Sequence, residues 1–200
     1  MTGAVLAIDL DSVLMPPVES WRADLERDWG IAPEAFADGF LRASFREALR
    51  GRLDLYQAVD EYLSGVGVDG RAVEFVTWWF DRAPVPDSGL LTRIDAWRRA
   101  TGGRVFVIAN QEHHRIDHLR RSGGIDDHVD EILYSAALGV CKPDRVFFTN
   151  AQARMGVAAG RAIACFDADR DSVDAARTCG WRAFLYRDRR QLAEFLDAGA

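Results

Sequence analysis

The sequence predicts an α/β protein: a doubly wound parallel sheet with helices on both faces and a helical insertion after the first strand. Three observations carry this reading. Short apolar runs alternate with helix-period segments, as at residues 4–8, 104–109 and 162–166, and such alternation builds parallel sheets covered on both faces. Residues 18–80 show helical periodicity and no convincing strand. Pro16-Pro17 and Ala83-Pro84-Val85-Pro86 bound that stretch as stiff breaks. The expected division is a core of residues 1–14 and 87–200 with a helical cap at 15–86.

Each element has its own signal. The first strand, Ala4 to Ile8, ends on Asp9 and Asp11. Val18, Trp21, Leu25 and Trp29 then recur at helical spacing up to Gly30. Pro33 opens a second helix with Phe36, Phe40, Phe45 and Leu49, closed by Gly51. Asp54 suits the cap of a third helix (Leu55, Val59, Tyr62, Leu63), and Asp69 that of a fourth (Val73, Val76, Trp79, Phe80). The aromatic residues Trp21, Trp29, Phe36, Phe40, Trp78 and Trp79 read as the core of this block rather than as substrate contacts.

From Asp87 the pattern becomes alternating. Asp87 caps a helix with Leu90, Leu91, Ile94 and Trp97 that stops at Gly102-Gly103. A strand, Arg104 to Ala109, runs into Asn110-Gln111. A helix with Ile116 and Leu119, a short strand at 131–134 and a loop at 135–141 lead to Lys142-Pro143-Asp144. Pro143 suits the first position of the next helix, which carries Val146, Phe147 and Phe148. A strand at 162–166 ends on Asp167-Ala168-Asp169-Arg170-Asp171. A helix to Cys179, a strand at 182–186 and a helix at 189–196 complete the chain.

Bulk properties narrow the partners. The net charge of −6 and pI near 5.2 argue against nucleic acid and anionic membrane. Asp9 and Asp11 interrupt the only early apolar run, so no signal peptide is expected, and no segment approaches a membrane span. The three cysteines, Cys141, Cys165 and Cys179, lack CxxC spacing and read as buried thiols of a reducing cytoplasm. A cytoplasmic monomer or weak dimer is expected.

The chemistry gathers at strand ends. Parallel strands bring Asp9 with Asp11, Asn110, and Asp167 with Asp169 and Asp171 to one edge of the sheet, where open α/β sheets bind ligands. Carboxylates that close repel, so the arrangement calls for a bound cation or for a carboxyl that keeps and passes on a proton. An all-oxygen site suits magnesium. Lys142 offers positive charge to an anionic substrate. No Cys/His cluster suggests zinc, and neither a GxGxxG nor a P-loop is present. His113 and His114 point in different directions from one helix and read as surface or supporting groups.

The order DxD, a strand ending in Asn, Lys-Pro, and DxxxD resembles the haloacid dehalogenase-like (HAD) hydrolase superfamily over nearly the whole chain. Leu138–Asp144 and Val173–Arg177 look like its small phosphatases, those acting on sugar phosphates among them. The resemblance implies a magnesium-dependent phosphatase for a small phosphorylated metabolite. Asp9 would be the nucleophile that forms an aspartyl-phosphate, and Asp11 the acid and base. Mg2+ would sit between the Asp9 carboxylate, the Asp11 carbonyl and Asp167, while Lys142 and Asn110 meet the phosphoryl group and Asp171 steadies Lys142 or a metal-bound water. Two positions depart from the pattern. Ala109 stands where Ser or Thr normally binds a phosphate oxygen, and Ala168 replaces the second Asp of a DD motif. Ala109 supports a second reading, a weak or inactive relative that binds a phosphorylated ligand or a protein. A dehalogenase or phosphomutase is a third.

Overall fold

The computed structural model describes residues 4–17 and 20–199. Five parallel strands form one sheet: β1 (Val5–Asp9), β2 (Arg104–Ala109), β3 (Glu131–Tyr134), β4 (Ala164–Asp167) and β5 (Arg182–Leu185). Their order is β3-β2-β1-β4-β5. The chain winds one way from β1 through β3 and the other way through β4 and β5, so the crevice between β1 and β4 opens at their carboxyl ends. The register sets Asp9 opposite Ile108, and Asp167 opposite Leu185.

Among the described residues, five α-helical segments follow β1 before any other strand, α1 (Ser20–Trp29), α2 (Pro33–Phe36), α3 (Phe45–Ala48), α4 (Leu55–Gly65) and α5 (Ala72–Asp81), with a wider helical segment, Ala37–Ser44, between α2 and α3. The remaining helices flank the sheet: α6 (Ser88–Thr101), α7 (His113–Gly123), α8 (Ser135–Leu138), α9 (Arg145–Arg154), α10 (Arg170–Thr178) and α11 (Arg189–Asp197). Alternation along the strands sorts the sheet core. Leu6, Ile8, Val105, Val107 and Ala109 face one cluster with residues of α6, α7 and α11. Val5, Ala7, Phe106 and Ile108 face the other, with residues of α9 and α10. Each large side chain buried there contributes about 1.5–3 kcal/mol.

A third cluster belongs wholly to residues 25–80, with Phe36, Phe40, Phe75, Leu55 and Leu63 at its centre. Asp54 caps α4 through the amides of Tyr56 and Gln57, as expected. The single helix expected after Pro33 is broken: it widens over Ala37–Ser44 and kinks at Ala43 (φ −111°, ψ −106°). The sequence explains why. Phe40 and Phe45 are five residues apart, and at 3.6 residues per turn that step swings the second ring well off the first one's face. A wide turn restores it, and the two rings lie 5.6 Å apart.

Other expectations need correction. Asp69 does not cap α5: Gly70, with φ +70°, turns the chain first, and α5 starts at Ala72 behind Arg71. Val73 and Val146 are exposed rather than packed. Pro143 follows a cis bond and precedes α9, which Asp144 caps through the Val146 amide. The loop expected at 135–141 begins with α8. Val18 lies outside the described residues. All three cysteines are free, but only Cys165 is fully buried.

Candidate active site

β1 delivers Asp9 to the carboxyl edge as its last residue, and β4 does the same for Asp167 on the neighbouring strand. Lys142, from the loop before α9, reaches between them. Its Nζ lies 2.8 Å from Asp9 Oδ1 and 2.6 Å from Asp167 Oδ2, with its side chain 4% exposed. Asn110, just past β2, fixes that loop: Nδ2 donates to the Lys142 carbonyl at 2.9 Å and Oδ1 accepts from the Lys142 amide at 2.7 Å. The sequence motifs Asp9, Asn110, Lys142 and Asp167 therefore meet in one place.

The charges do not balance there. Burial works against the Lys142 ammonium, but Asp9 and Asp167 outweigh it and raise its pKa. Asp9 is pushed up to about 7, first by burial and then by the Asp167 and Asp11 carboxylates, against the pull of Lys142. Asp9 Oδ1 is engaged by the Leu10 amide and by Lys142. Oδ2 has no hydrogen-bond partner among the described residues and is not sealed from solvent. Asp167 Oδ1 accepts from the Asp169 amide. Asp169 caps α10 and bonds Ser172. Asp171 stands exposed in the first turn of α10, and the ion pairs of Lys142 run to Asp9 and Asp167 instead.

Asp11 sits on the loop after β1, exposed, and its Oδ2 accepts from Gln111 Nε2 at 2.6 Å. The next residue, Ser12, takes a left-handed conformation (φ +65°), which costs a side-chain-bearing residue about 1–2 kcal/mol. Ala109 ends β2 fully buried, in the cluster on the sheet face opposite Phe106 and Ile108.

The helical block leans over this edge. Asp87 N donates to the Leu14 carbonyl at 2.8 Å, tying together the two chain crossings. Gly51, with φ +69°, passes so close that a Cβ would stand 2.5 Å from the Ala136 carbonyl. His114 Nε2 lies 2.7 Å from Asp54 Oδ2, so this histidine clasps the block to α7. A cavity of about 410 Å³ opens between block and sheet, lined by Asp11, Ser12, Gln111 and Arg115 below and by Trp21, Phe45, Trp79 and Phe80 above. Trp21 and Trp79 pack on the core of the block, as the sequence predicts, and also line the cavity. Sequence reasoning assigned no role to Gln111 or Arg115. Gln111 carries no signal of its own, but Arg115 interrupts the buried stripe of Ile116 and Leu119, and a charge on an apolar stripe is legible.

Two carboxylates from adjacent strands, with more negative charge than Lys142 balances, form a hard-oxygen donor set. Among the described residues no three His, Cys, Asp or Glu side chains gather as a cage for an ion. Mg2+ is bound through one or two carboxylates with water completing its shell, so the residues present fit it.

No family model and no curated protein matches the sequence. Solved structures do share its fold. A HAD family enzyme of Bacteroides thetaiotaomicron superposes with a TM-score of 0.82 at 14% identity, covering 96% of this chain and 98% of that one. It has also been solved with magnesium and inorganic phosphate. A predicted HAD-like family hydrolase of Porphyromonas gingivalis gives 0.77 at 17% identity, covering 99% and 98%. An L-2-haloacid dehalogenase gives 0.69 at 14% identity, covering 98% and 100%.

Proposed function

We propose, from the haloacid dehalogenase-like fold that this chain adopts, that it is a magnesium-dependent phosphatase of small phosphorylated metabolites with the helical block as its cap. The observation that carries the reading is Asp9 at the sheet edge, its Oδ1 paired with Lys142 beside Asp167 and its Oδ2 without a hydrogen-bond partner among the described residues. This oxygen attacks phosphorus, the bond to the leaving oxygen breaks, and Asp11 gives that oxygen its proton. Asp11, now a carboxylate, takes a proton from water, whose oxygen attacks the phosphorus of the aspartyl-phosphate and releases phosphate and free Asp9. Lys142 keeps its charge at the transferring oxygens. Asn110, spent on the Lys142 backbone, positions that lysine. Asp9 and Asp167 would hold Mg2+, which when bound neutralises phosphoryl charge.

A phosphate-release screen over sugar phosphates, nucleotides and phosphorylated acids, with and without Mg2+, tests the reading. Release should need the metal and fall by at least about a thousandfold in Asp9→Asn. Asp11 separates phosphatase from dehalogenase chemistry, because an alkoxide needs a proton to leave and a halide does not. Asp11→Asn should lose far more turnover on alkyl than on aryl phosphates. Halide release from 2-haloacids, or full activity in Asp9→Asn, would overturn the proposal.

A further inference from the structure

Arg115 is a buried charge that the proposed reaction leaves unused. It is 6% exposed, on the inward stripe of α7. Its guanidinium offers five N–H donors, yet among the described residues its side chain makes one hydrogen bond, from Nη1 to the Phe80 carbonyl at 3.5 Å. That is beyond the ordinary range of an N–H···O bond. It forms no ion pair among the described residues. Glu112, the nearest candidate in sequence, spends its two carboxylate oxygens on the amides of His114 and Arg115 as the cap of α7. The remaining donors of Arg115 are not sealed in, and the residue lines the cavity that Asp11 enters from the side of the sheet. The partners it has are weak ones: the Phe80 ring centroid lies 5.3 Å from the guanidinium, and the pull of Asp11 and Glu112 does not offset the burial that lowers its pKa, so an anion that reaches its remaining donors is favoured.

We infer that Arg115 is a subsite for a carboxylate on the leaving group, which makes the substrate class phosphorylated carboxylic acids with an apolar body; this rests on the phosphatase reading above. The planar fork of arginine matches a carboxylate bidentately. Trp21, Phe45, Trp79 and Phe80 supply the apolar wall between the two ends. A second phosphate fits less well, because Asp11 and Glu112 line the same cavity and would repel a dianion. The other cation there, Arg22, is exposed and lies over Trp21.

The test pairs two phosphates that differ in this charge, meta-carboxyphenyl phosphate and its amide, meta-carbamoylphenyl phosphate. The native protein should prefer the acid by about tenfold or more, through KM, the worth of one charge-assisted pair. Arg115→Met should remove the preference by raising KM for the acid about tenfold more than for the amide, and Arg115→Lys should keep part of it. Calorimetric binding of the leaving alcohols alone, meta-hydroxybenzoate against meta-hydroxybenzamide, reads the subsite without hydrolysis. A native protein that binds the benzoate selectively but cleaves neither phosphate keeps the subsite and loses the phosphatase reading. Equal handling of acid and amide by the native protein, or equal loss on both in Arg115→Met, would mean that Arg115 only clasps the cap to α7, and the inference would fall.

Discussion

The sheet edge and the helical block solve opposite problems with opposite materials. At the edge, the buried Lys142 and Asp167 and the partly buried Asp9 meet, held by strand ends and by the Asn110 amide. In the block, Phe36 alone lies against the rings of Trp21, Phe40, Tyr62, Phe75 and Trp79. The backbone ladder fixes where a strand ends, so a charge placed there is positioned whatever its neighbours are. Rings in a helical cluster are positioned only by one another. Chemistry therefore sits on the sheet, and the shape of the cavity is left to the block.

Removing Lys142 should strike the first region hardest. Lys142→Met leaves Asp9 and Asp167 facing each other, and breaking a buried pair from one side costs about 3–5 kcal/mol. The loss should be largest at neutral pH and shrink in acid, because Asp9, already raised to about 7, takes up a proton that relieves the repulsion. Urea titrations at pH 7.5 and pH 5 measure this. A loss that is the same at both would show that the lysine acts by packing.

Phe36→Ala tests the second region. Phe36 is fully buried, and deleting such a ring costs about 3–5 kcal/mol. If the rings are held only by one another, the block should melt before the sheet, as two transitions in near-UV circular dichroism. A single transition would show that the clasps, Gly51 on Ala136 and Asp54 on His114, make the two regions one cooperative unit.

The Asp54–His114 clasp itself should weigh less. The His114 hydrogen bond, with the Gln57 and Tyr56 amides, holds the Asp54 pKa below its ordinary 3.8. A lowered carboxylate pKa adds stability that is full above pH 3.8 and lost as pH falls through the folded value. The Asp54 side chain is 52% exposed, so screening limits the effect to a few tenths of a kcal/mol. Asn also caps helices well, so the difference in melting temperature between native and Asp54→Asn isolates the charge. It should be present at pH 6 and close below pH 4; a difference that persists at pH 2.5 would assign it to the cap.

Ala109→Ser should do least. A phosphatase that works already holds phosphate through Lys142 and backbone amides, and the new hydroxyl enters a fully buried position in an apolar cluster. Turnover on the best substrate of the screen should change by less than about threefold. A native protein silent on every substrate, with activity appearing in Ala109→Ser, would favour the inactive-relative reading.

The sequence by itself determined the fold class and the place of the charges. A strand buried on both faces reads as an unbroken apolar run, as at Val105 to Ala109, and a parallel sheet sends every such run's end to the same edge. That is why Asp9, Asn110 and Asp167 could be named together, while Lys142, on a loop before a helix, joined them through the order of the motifs. It also marked Phe36 and Phe40 as core of the helical block, since their burial needs no knowledge of partners. What it did not contain was the contact between regions far apart in the chain. That Lys142 pairs with Asp9 and Asp167 while Asp171 stands exposed, that Asn110 serves the Lys142 backbone, that Trp21 and Trp79 turn toward a cavity, and that Arg115 is buried beneath the block all depend on distances set by packing. A strand end is a local, periodic property of the chain; which side chain a buried charge meets is decided only when two surfaces close on each other.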